Sequence, residues 1–232
     1  MTLEQSLLDH LAGFDTPTIC NALEVVYGDR VITGFTTKPF FCAFPDMKPI
    51  VGFARTSTMR AVQGSRLAGA EAKAHRLAYY EYVASKPGPT IAVVQDLDPQ
   101  PGIGAMWGEV NTAVHRGLGV LGCITNGSIR DLDAVDSRFQ LLAGLVGPSH
   151  AKVHVEAFNV PVNIHGMTVN HGDLIHADRH GAVVIPHDRV AELPAAIDLC
   201  VRKEEPVLKA ARSHDFSIEK LRAAMGEAED IH

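Results

Sequence analysis

The sequence predicts a single compact domain of mixed α/β structure, with additional helices at both ends of the chain. Three observations support this prediction. An apolar strand pattern, a helical pattern and a second apolar strand pattern follow one another between residues 90 and 127, as in a parallel crossover. Residues 153–188 combine strand-forming side chains with turn residues. Both terminal regions have amphipathic helical patterns.

The N-terminal region is predicted to contain two helices and a loop. Residues 3–11 place their leucines on one side of a helix. A second helix is predicted to start near Asp15, with Pro17 in its first turn. Residues 30–50 show no clear periodicity and are interpreted as a loop with short strand segments.

The central region begins with an alternating pattern over residues 51–62, which predicts a strand. The strongest helical pattern covers residues 65–86 and ends before Pro87. A compact apolar strand follows over residues 90–96.

The second half of the crossover contains a helix over residues 108–117 and a strand over 119–125. Asn126 and Gly127 are predicted to form a turn after that strand. A short helix is predicted over 132–139, followed by a strand at 140–147.

The C-terminal region is predicted to change from strands to helices. Turns at 170–172 and 180–181 divide the β-rich segment. A long helical pattern over 188–213 is expected to bend at Pro194 and Pro206. The polar pattern at the end of the chain is interpreted as a tail or a packing helix.

Composition excludes several classes of protein. The chain has 232 residues and a formal net charge of -6, which argues against a nonspecific nucleic-acid-binding protein. The four cysteines form no CxxC pair, so a zinc ribbon is not supported. No apolar run is long enough for a membrane span, and a cytoplasmic location is therefore expected.

Charged residues follow two neighbouring elements of the crossover. Glu109 begins the predicted helix, whose first amides, on Val110 and Asn111, lack partners within the helix and attract anions. Arg130 and Asp131 follow the next strand. Because ligands bind where parallel strands end, we expect these groups to share one cleft. The arginine would bind a carboxylate, and the aspartate would bind Mg²⁺ or a similar ion.

An exposed ion pair is the alternative interpretation of the Arg130-Asp131 dipeptide. In that case Asp131 would cap the predicted helix over residues 132–139. The dipeptide alone does not distinguish the two interpretations.

The motif around Glu109 and Arg130-Asp131 resembles that of the class II pyruvate aldolases. These are 4-hydroxy-4-methyl-2-oxoglutarate and 4-carboxy-4-hydroxy-2-oxoadipate aldolases, which are grouped with the RraA-like proteins, regulators of RNase E activity. Four segments carry the resemblance: TPTICNAL (16–23), GAMWGE (104–109), NGSIRDLDAV (126–135) and GDLIHADRHGAVVIP (172–186).

The resemblance implies a mixed β/β/α core of the swivelling phosphohistidine-domain type. The chain would be one RraA-like domain over residues 1–232, with its core at about 15–190 and a C-terminal helical extension at about 188–232. The family also implies a trimer or a dimer of trimers with an active site at a subunit interface. A divalent metal, Mg²⁺ or Mn²⁺, is the implied cofactor.

The resemblance also implies roles for individual residues. Asp131 matches the metal-binding aspartate and Arg130 the substrate-binding arginine. Glu109 takes the place of the acidic residue that holds a metal-bound water. The segment that binds the pyruvyl carboxylate contains Gly108, Val110 and Asn111.

A neighbouring subunit is implied to add an acidic residue, for which Glu204 and Glu205 are the candidates. The chain also departs from the family pattern. Asn21 and Asn126 replace aspartates, and Gln100-Pro101 replaces Gly-Asp. These departures leave the identity of the substrate open.

The expected function is a metal-dependent lyase that cleaves a 4-hydroxy-2-oxo acid to pyruvate and a second oxo acid, with oxaloacetate decarboxylation as a side activity. The alternative is a non-catalytic regulator that binds and inhibits a ribonuclease. A metal-assisted reaction of another oxo or hydroxy acid is a third hypothesis.

Two further patterns, a histidine-rich segment and a glycine-rich segment, suggest a zinc site and a dinucleotide site, but the sequence supports neither strongly. Seven histidines lie between residues 150 and 187, but their spacing is irregular for a zinc site. His176 and His180, near Asp178, are alternatively expected to order the rim of the site or an interface. The glycines of residues 102–108 do not directly follow the preceding strand, as a dinucleotide-binding fingerprint requires.

Overall fold

The computed structural model describes residues 3–232, so the first two residues of the predicted 1–232 domain lie outside it. The chain divides into two compact units. One unit contains the chain up to Thr16 together with Ile32–His187, and the other contains Pro17–Val31 and Asp188–His232.

The first unit is built on a mixed nine-stranded sheet and a separate two-stranded hairpin. The strands are β1 (Phe41–Cys42), β2 (Ile50–Arg60), β3 (Thr90–Asp96), β4 (Ala105–Trp107), β5 (Val120–Ile129), β6 (Gln140–Val146), β7 (His154–Phe158), β8 (Val162–Ile164), β9 (Met167–Val169), β10 (Leu174–Asp178) and β11 (Gly181–Ile185). The unit also contains the helices α1 (Gln5–Leu11), α3 (Gly69–Val83) and α4 (Glu109–Gly117).

The order of the sheet is β1-β6-β5-β3-β2-β10-β11, with β4 paired to β5 and β7 paired to β2. Strands β6, β5, β3 and β2 form a parallel block in this series, whereas β1 and β10 pair antiparallel with the two sides of the block. The crossover that the sequence predicted is confirmed, because β3 and β5 pair in parallel and α4 lies between them in the chain.

Alternate side chains of β3 enter two different hydrophobic clusters. Ala92 and Val94 belong to a cluster that includes Tyr79 and Val83 of α3. Ile91 and Val93 belong to a cluster that includes the apolar residues of the β8–β9 hairpin. The sheet therefore has helices on one face and a hairpin on the other, which is the mixed β/β/α core that was predicted.

Several elements differ from the sequence prediction. Asn126 and Gly127 do not form a turn but continue β5 to Ile129. Residues 132–139 form turns instead of a helix. The three-residue strand β4 lies where a loop was expected. Strand β2 alternates in sequence but is buried on both faces from Ile50 to Met59.

The second unit is helical and contains α2 (Thr16–Tyr27, of which Pro17 onwards belongs to this unit), a 3₁₀ turn (Val190–Glu192), α5 (Leu193–Ala211) and α6 (Ile218–Glu229). Helix α5 contacts α6, so the end of the chain is a packing helix rather than a tail. Pro194 does not bend a helix, because it lies in the first turn of α5, where its missing N–H costs no hydrogen bond. Pro206 does lie within α5. Within residues 3–232, no helix has the length and apolar character needed to cross a membrane.

A buried arginine in β2 holds the end of α3 against the sheet. The side chain of Arg55 is inaccessible to solvent and has no carboxylate partner among the described residues. Its guanidinium instead donates to the hydroxyl and carbonyl oxygens of Ser85 and to the carbonyl oxygen of Pro87. Burial lowers the pKa of Arg55 from its ordinary value, which reflects the cost of keeping a cation away from water.

Replacement of Arg55 by leucine is expected to reduce the free energy of unfolding by about 3 kcal/mol, because several partly buried oxygens lose their charged donor. Urea denaturation would measure the change. The matched control is Arg66→Leu, at an exposed position, for which a change within about 0.5 kcal/mol is expected. Equal effects of the two substitutions would contradict this account of Arg55.

Candidate active site

The candidate site is formed where β4 and β5 end side by side. These strands pair in parallel, with Trp107 opposite Ile129. The amide of Arg130 continues the pairing and donates to the carbonyl oxygen of Trp107 at 2.8 Å. This hydrogen bond places Gly108, the residue before α4, next to Arg130 and Asp131.

Asp131 lies against the first turn of α4. Its Oδ2 accepts a hydrogen bond from the amide of Glu109 at 3.2 Å. A side chain on Gly108 would collide with Asp131 Oδ2 and would lie 3.1 Å from Arg130 Cγ, so the approach requires glycine. Asp131 itself has a φ of 57°, in the left-handed region, which aspartate and asparagine tolerate better than most residues.

The guanidinium of Arg130 lies beside this carboxylate. Arg130 Nε is 3.7 Å from Asp131 Oδ2, and both side chains are about one-third exposed, at 34% and 35%. Since residues 132–139 form turns, Asp131 does not cap a helix after it. It instead supplies an acceptor to the helix that begins at Glu109. The amide of Glu109 and the side chains of Arg130 and Asp131 therefore lie close together around Gly108, while their shared cleft and their chemical roles remain predictions.

The first turn of α4 is partly open to solvent. Val110 is 76% exposed, and Asn111 is half-buried. The amides of these residues belong to the first turn, where an α-helix has no internal acceptors for its N–H groups. The turn is therefore suited to bind a carboxylate next to Arg130.

Hydrogen bonds fix the position of Asn111. Its side-chain Nδ2 donates to the carbonyl oxygen of Met106 at 3.1 Å, and its Oδ1 accepts from the hydroxyl of Tyr80 at 3.3 Å. Its carbonyl oxygen lies 2.7 Å from Nδ1 of His115, one turn later in α4. The start of the helix is thus tied both to β4 and to α3.

A buried tyrosine completes this set of contacts. The hydroxyl of Tyr79 is 2.9 Å from Nε2 of His115, and the indole of Trp107 packs on the imidazole with 4.6 Å between ring centroids. Because a carbonyl oxygen cannot donate, Nδ1 of His115 carries the proton and Nε2 accepts from Tyr79. Burial lowers the pKa of His115 to about 4 and raises that of Tyr79, so both side chains stay neutral.

Two aspartates hold the loop that leads from β3 to β4. Asp96 accepts from the amides of Asp98 and Gly102, and Asp98 accepts from those of Ala61 and Val62. Burial raises the pKa of Asp96, an effect opposed by these amides. Neither aspartate was predicted from the sequence. The amides that Asp98 binds lie far along the chain, and an aspartate that binds amides shortly after it, as Asp96 does, is common in turns.

Asn126 contributes to the same loop from β5. Its Oδ1 accepts from the amide of Asp96 at 2.7 Å, and its Nδ2 donates to the carbonyl oxygen of Asp96 at 3.0 Å. An asparagine can make both bonds because its amide carries a donor and an acceptor. The register of β5 and β6 shifts between Thr125 and Ser128, and this irregularity accommodates the residue within the strand.

The donor set around Gly108 fits a hard divalent cation. Oδ1 of Asp131 has no hydrogen-bond partner within residues 3–232, so it can serve as a ligand. In the same part of the chain, no three His, Cys, Asp or Glu residues cluster as a metal site. One or two carboxylates completed by water and substrate are, however, the ligand set that Mg²⁺ usually has.

The remaining predicted site residues lie in the other unit. Glu204 and Glu205 are exposed residues of α5. Glu204 borders an open depression that also contains Asn21, Arg30 and Lys203. The contribution of either glutamate to a neighbouring subunit stays a prediction.

His176 and His180 make different contacts. His176 is buried; its Nδ1 pairs with the hydroxyl of Thr16 and its Nε2 lies near the carbonyl oxygens of Leu11 and Phe14. Burial lowers its pKa. His180 pairs with Asp178 at 3.1 Å. Thus His176 connects β10 to the N-terminal segment, which the sequence pattern did not reveal.

Comparison with known proteins identifies a family. The model for the RraA-like family (Aldolase/RraA) matches residues 16–184. A protein of Halalkalibacterium halodurans named "Putative 4-hydroxy-4-methyl-2-oxoglutarate aldolase" is 29% identical over 187 residues, which are 79% of this chain and 80% of that protein.

Two other similar proteins differ in the share of their own length that matches this chain. Protein DlpA of Legionella pneumophila is 28% identical over half of this chain, but the match spans just 19% of DlpA. The crystal structure of RraAS2 from Streptomyces coelicolor, described as an unusual member of the RNase ES inhibitor RraA family, matches with a TM-score of 0.66 and 22% identity. That match covers 92% of this chain and 99% of RraAS2, and it shows a common fold.

Asp131 is expected to stabilise the fold as well as the site. Asp131→Ala should reduce the free energy of unfolding by about 2 kcal/mol, because α4 loses its acceptor and alanine is strained at a positive φ. Asp131→Asn retains an oxygen acceptor and tolerates this φ, so a loss below about 1 kcal/mol is expected. Urea denaturation measures both, and equal losses would be inconsistent with this role.

His115 is expected to make stability depend on pH. It binds a proton near pH 6.5 when unfolded but near pH 4 when folded, so unfolding takes up a proton between these values. Stability attributable to His115 is therefore complete above pH 6.5 and falls by up to about 3 kcal/mol as the pH drops to 4.

The test compares urea denaturation of the wild type and His115→Gln at pH 7.5 and 4.5. The variant should lose less stability on acidification than the wild type, although His176 contributes to the slope in both proteins. Parallel pH profiles would rule out this role for His115.

Proposed function

Because the chain belongs to the RraA-like (Aldolase/RraA) family, we propose that it is a divalent-metal-dependent carbon–carbon lyase. Its substrate would be a 4-hydroxy-2-oxo acid, which it cleaves to pyruvate and a second oxo acid. The observation that carries the proposal is the convergence on Gly108 of Asp131, Arg130 and the first turn of α4. A carboxylate, a guanidinium and free amides are the groups that binding a metal and a 2-oxo acid requires.

Asp131 would hold the metal directly and Glu109 would hold it through water, with Mg²⁺ or Mn²⁺ as the cofactor. When bound, such an ion polarises carbonyl oxygens and acidifies coordinated water. Asp131 is suited to the role because Oδ1 is unpaired while Oδ2 is fixed by the amide of Glu109. The hydrogen bond to α4 thus orients the carboxylate.

The substrate is held by the start of α4 and by Arg130. The amides of Val110 and Asn111 bind its carboxylate, and the guanidinium of Arg130 lies beside its 2-oxo group. Because Asn111 is tied to Met106, Tyr80 and His115, the amides are positioned before the substrate binds.

Bond cleavage begins at the C4 hydroxyl. Glu109 orients a water molecule that takes the hydroxyl proton. The C3–C4 bond then breaks, its electron pair passes to the pyruvyl fragment, and C4 becomes the carbonyl carbon of the second oxo acid. Arg130 stabilises the negative charge that develops on the enolate oxygen. Protonation of the enolate carbon by water yields pyruvate.

Oxaloacetate decarboxylation would follow the same route. Loss of carbon dioxide from oxaloacetate leaves its electron pair on the same pyruvate enolate. The binding of the 2-oxo carboxylate by α4 and the stabilisation by Arg130 are therefore common to both reactions.

The complete site is proposed to need a homo-oligomer, either a trimer or a dimer of trimers. In such an assembly Glu204 or Glu205 of a neighbouring subunit would supply a further carboxylate. A cytoplasmic location accords with a small organic acid as the substrate. No nucleic-acid or membrane partner is proposed for this activity.

The proposal is tested by measuring pyruvate release from 4-hydroxy-4-methyl-2-oxoglutarate and from oxaloacetate, with Mg²⁺, Mn²⁺ or EDTA. We expect metal-dependent release that falls by about a hundredfold or more in Asp131→Asn and Arg130→Gln. Glu109→Gln is expected to reduce kcat by a similar factor, because a neutral amide holds the water that takes the hydroxyl proton less strongly than a carboxylate does.

Asp136→Asn and Arg138→Gln provide the matched controls. These residues form an exposed ion pair a few positions further along the same loop, and their substitution should leave activity within about twofold. Absence of release with both substrates and both metals would overturn the proposal. The ribonuclease-binding regulator would then be the hypothesis to test, by co-purification with a ribonuclease.

A further inference from the structure

A cavity of about 290 Å³ lies between α3, β7 and the start of α4, on the side of α4 that Asn111 faces. Its volume is near the lower end of the range for small-molecule sites, roughly 300–1,000 Å³. Apolar side chains line most of its wall. They include Leu67, Ala72, Met106, Val153 and Val155.

The polar groups at this cavity are basic or neutral. Arg76, His75 and His154 line it, and none of its twelve lining residues is acidic. Arg76 is the lining residue that always carries a positive charge, whereas the formal net charge of the whole chain is -6. A negatively charged ligand is therefore favoured at this position.

The guanidinium of Arg76 is available to such a ligand. Within residues 3–232, Arg76 makes no ion pair with a carboxylate and no side-chain hydrogen bond. The two histidines, by contrast, are engaged. Nε2 of His75 lies 3.2 Å from the carbonyl oxygen of Val155, and Nε2 of His154 lies 3.2 Å from Glu156 Oε2. Arg76 is thus the group that can form a new charge-assisted pair.

We propose that this cavity is a second ligand site, which binds a small monocarboxylate with an apolar body. The apolar part of the ligand occupies the space between Leu67, Met106 and Val153, and its carboxylate pairs with Arg76. The proposal rests on the cavity alone and does not depend on the lyase activity.

The cavity shares residues with the structure that supports the candidate active site. Tyr80, Asn111 and Met106 line it, and these three residues form the hydrogen bonds that tie the first turn of α4 to its surroundings. A bound ligand would therefore contact the groups that position the amides of that turn. Occupancy of the cavity and the geometry of the candidate active site are physically connected by these bonds.

Calorimetric titration of the full chain with hexanoate tests the proposal, with hexanamide as the uncharged probe of the same shape. EDTA is present throughout, so that failure of this experiment is distinguishable from failure of the lyase assay. We expect saturable binding of hexanoate, one molecule per chain, at least about tenfold tighter than binding of hexanamide.

Two variants locate the binding. Arg76→Gln should weaken hexanoate binding about tenfold and leave hexanamide binding unchanged. Ala72→Leu should abolish binding of both probes, because the larger side chain fills the cavity. Lys73→Gln is the matched control, since Lys73 is an exposed cation of the same helix and does not line the cavity; it should bind hexanoate as the wild type does.

The fluorescence of Trp107, the single tryptophan of the chain, gives an independent signal, because its neighbour Met106 lines the cavity. Its emission should change with the same saturation curve as the heat of binding. The proposal is overturned if hexanoate shows no saturable binding. It is also overturned if Arg76→Gln and Lys73→Gln weaken binding equally, or if Ala72→Leu binds as the wild type does.

Discussion

The hydrogen bond from the amide of Arg130 to the carbonyl oxygen of Trp107 is the contact on which the candidate site depends. It joins the end of β4, which lies in a glycine-rich segment, to the end of β5, the last strand of the crossover. It extends the pairing of β4 and β5 to the point where Asp131 accepts a hydrogen bond from the first amide of α4. A backbone contact therefore determines where a guanidinium, a carboxylate and a helix start converge.

The site is held by buried hydrogen bonds on its protein side and is open on its solvent side. On the buried side, the neutral hydroxyl of Tyr79 donates a hydrogen bond to the neutral imidazole of His115 in α4. The charged groups lie at the front, where Arg130 and Asp131 are about one-third exposed. This separation keeps the energetic cost of burying charge low while the reactive groups remain accessible.

Much of the fold could be predicted from the sequence where the periodicity of apolar residues was clear. The strand at Thr90–Asp96 and the helix at Glu109–Gly117 follow apolar and helical patterns closely, and both were found as expected. Strand β4 was missed because three residues carry too little periodicity, and its pairing depends on β5. Asn126-Gly127 resembles a turn locally, but long-range bonds to Asp96 hold it in a strand. Convergence around Gly108 was predicted, whereas the support from His115 and Tyr79 required tertiary contacts.

The hydrogen bonds of Asn126 restrict which side chains can occupy its position. Its side chain both receives a hydrogen bond from the backbone of Asp96 and gives one back, where the family pattern that the sequence resembles has an aspartate. A carboxylate at this position would keep the first bond but would turn an oxygen toward the carbonyl oxygen of Asp96. Replacement of Asn126 by aspartate is therefore expected to be destabilising unless the backbone of segment 96–102 changes its conformation. That segment contains Gln100 and Pro101, which also differ from the pattern. Two of the places at which the chain departs from the pattern therefore meet at one loop, through the hydrogen bonds between Asn126 and Asp96.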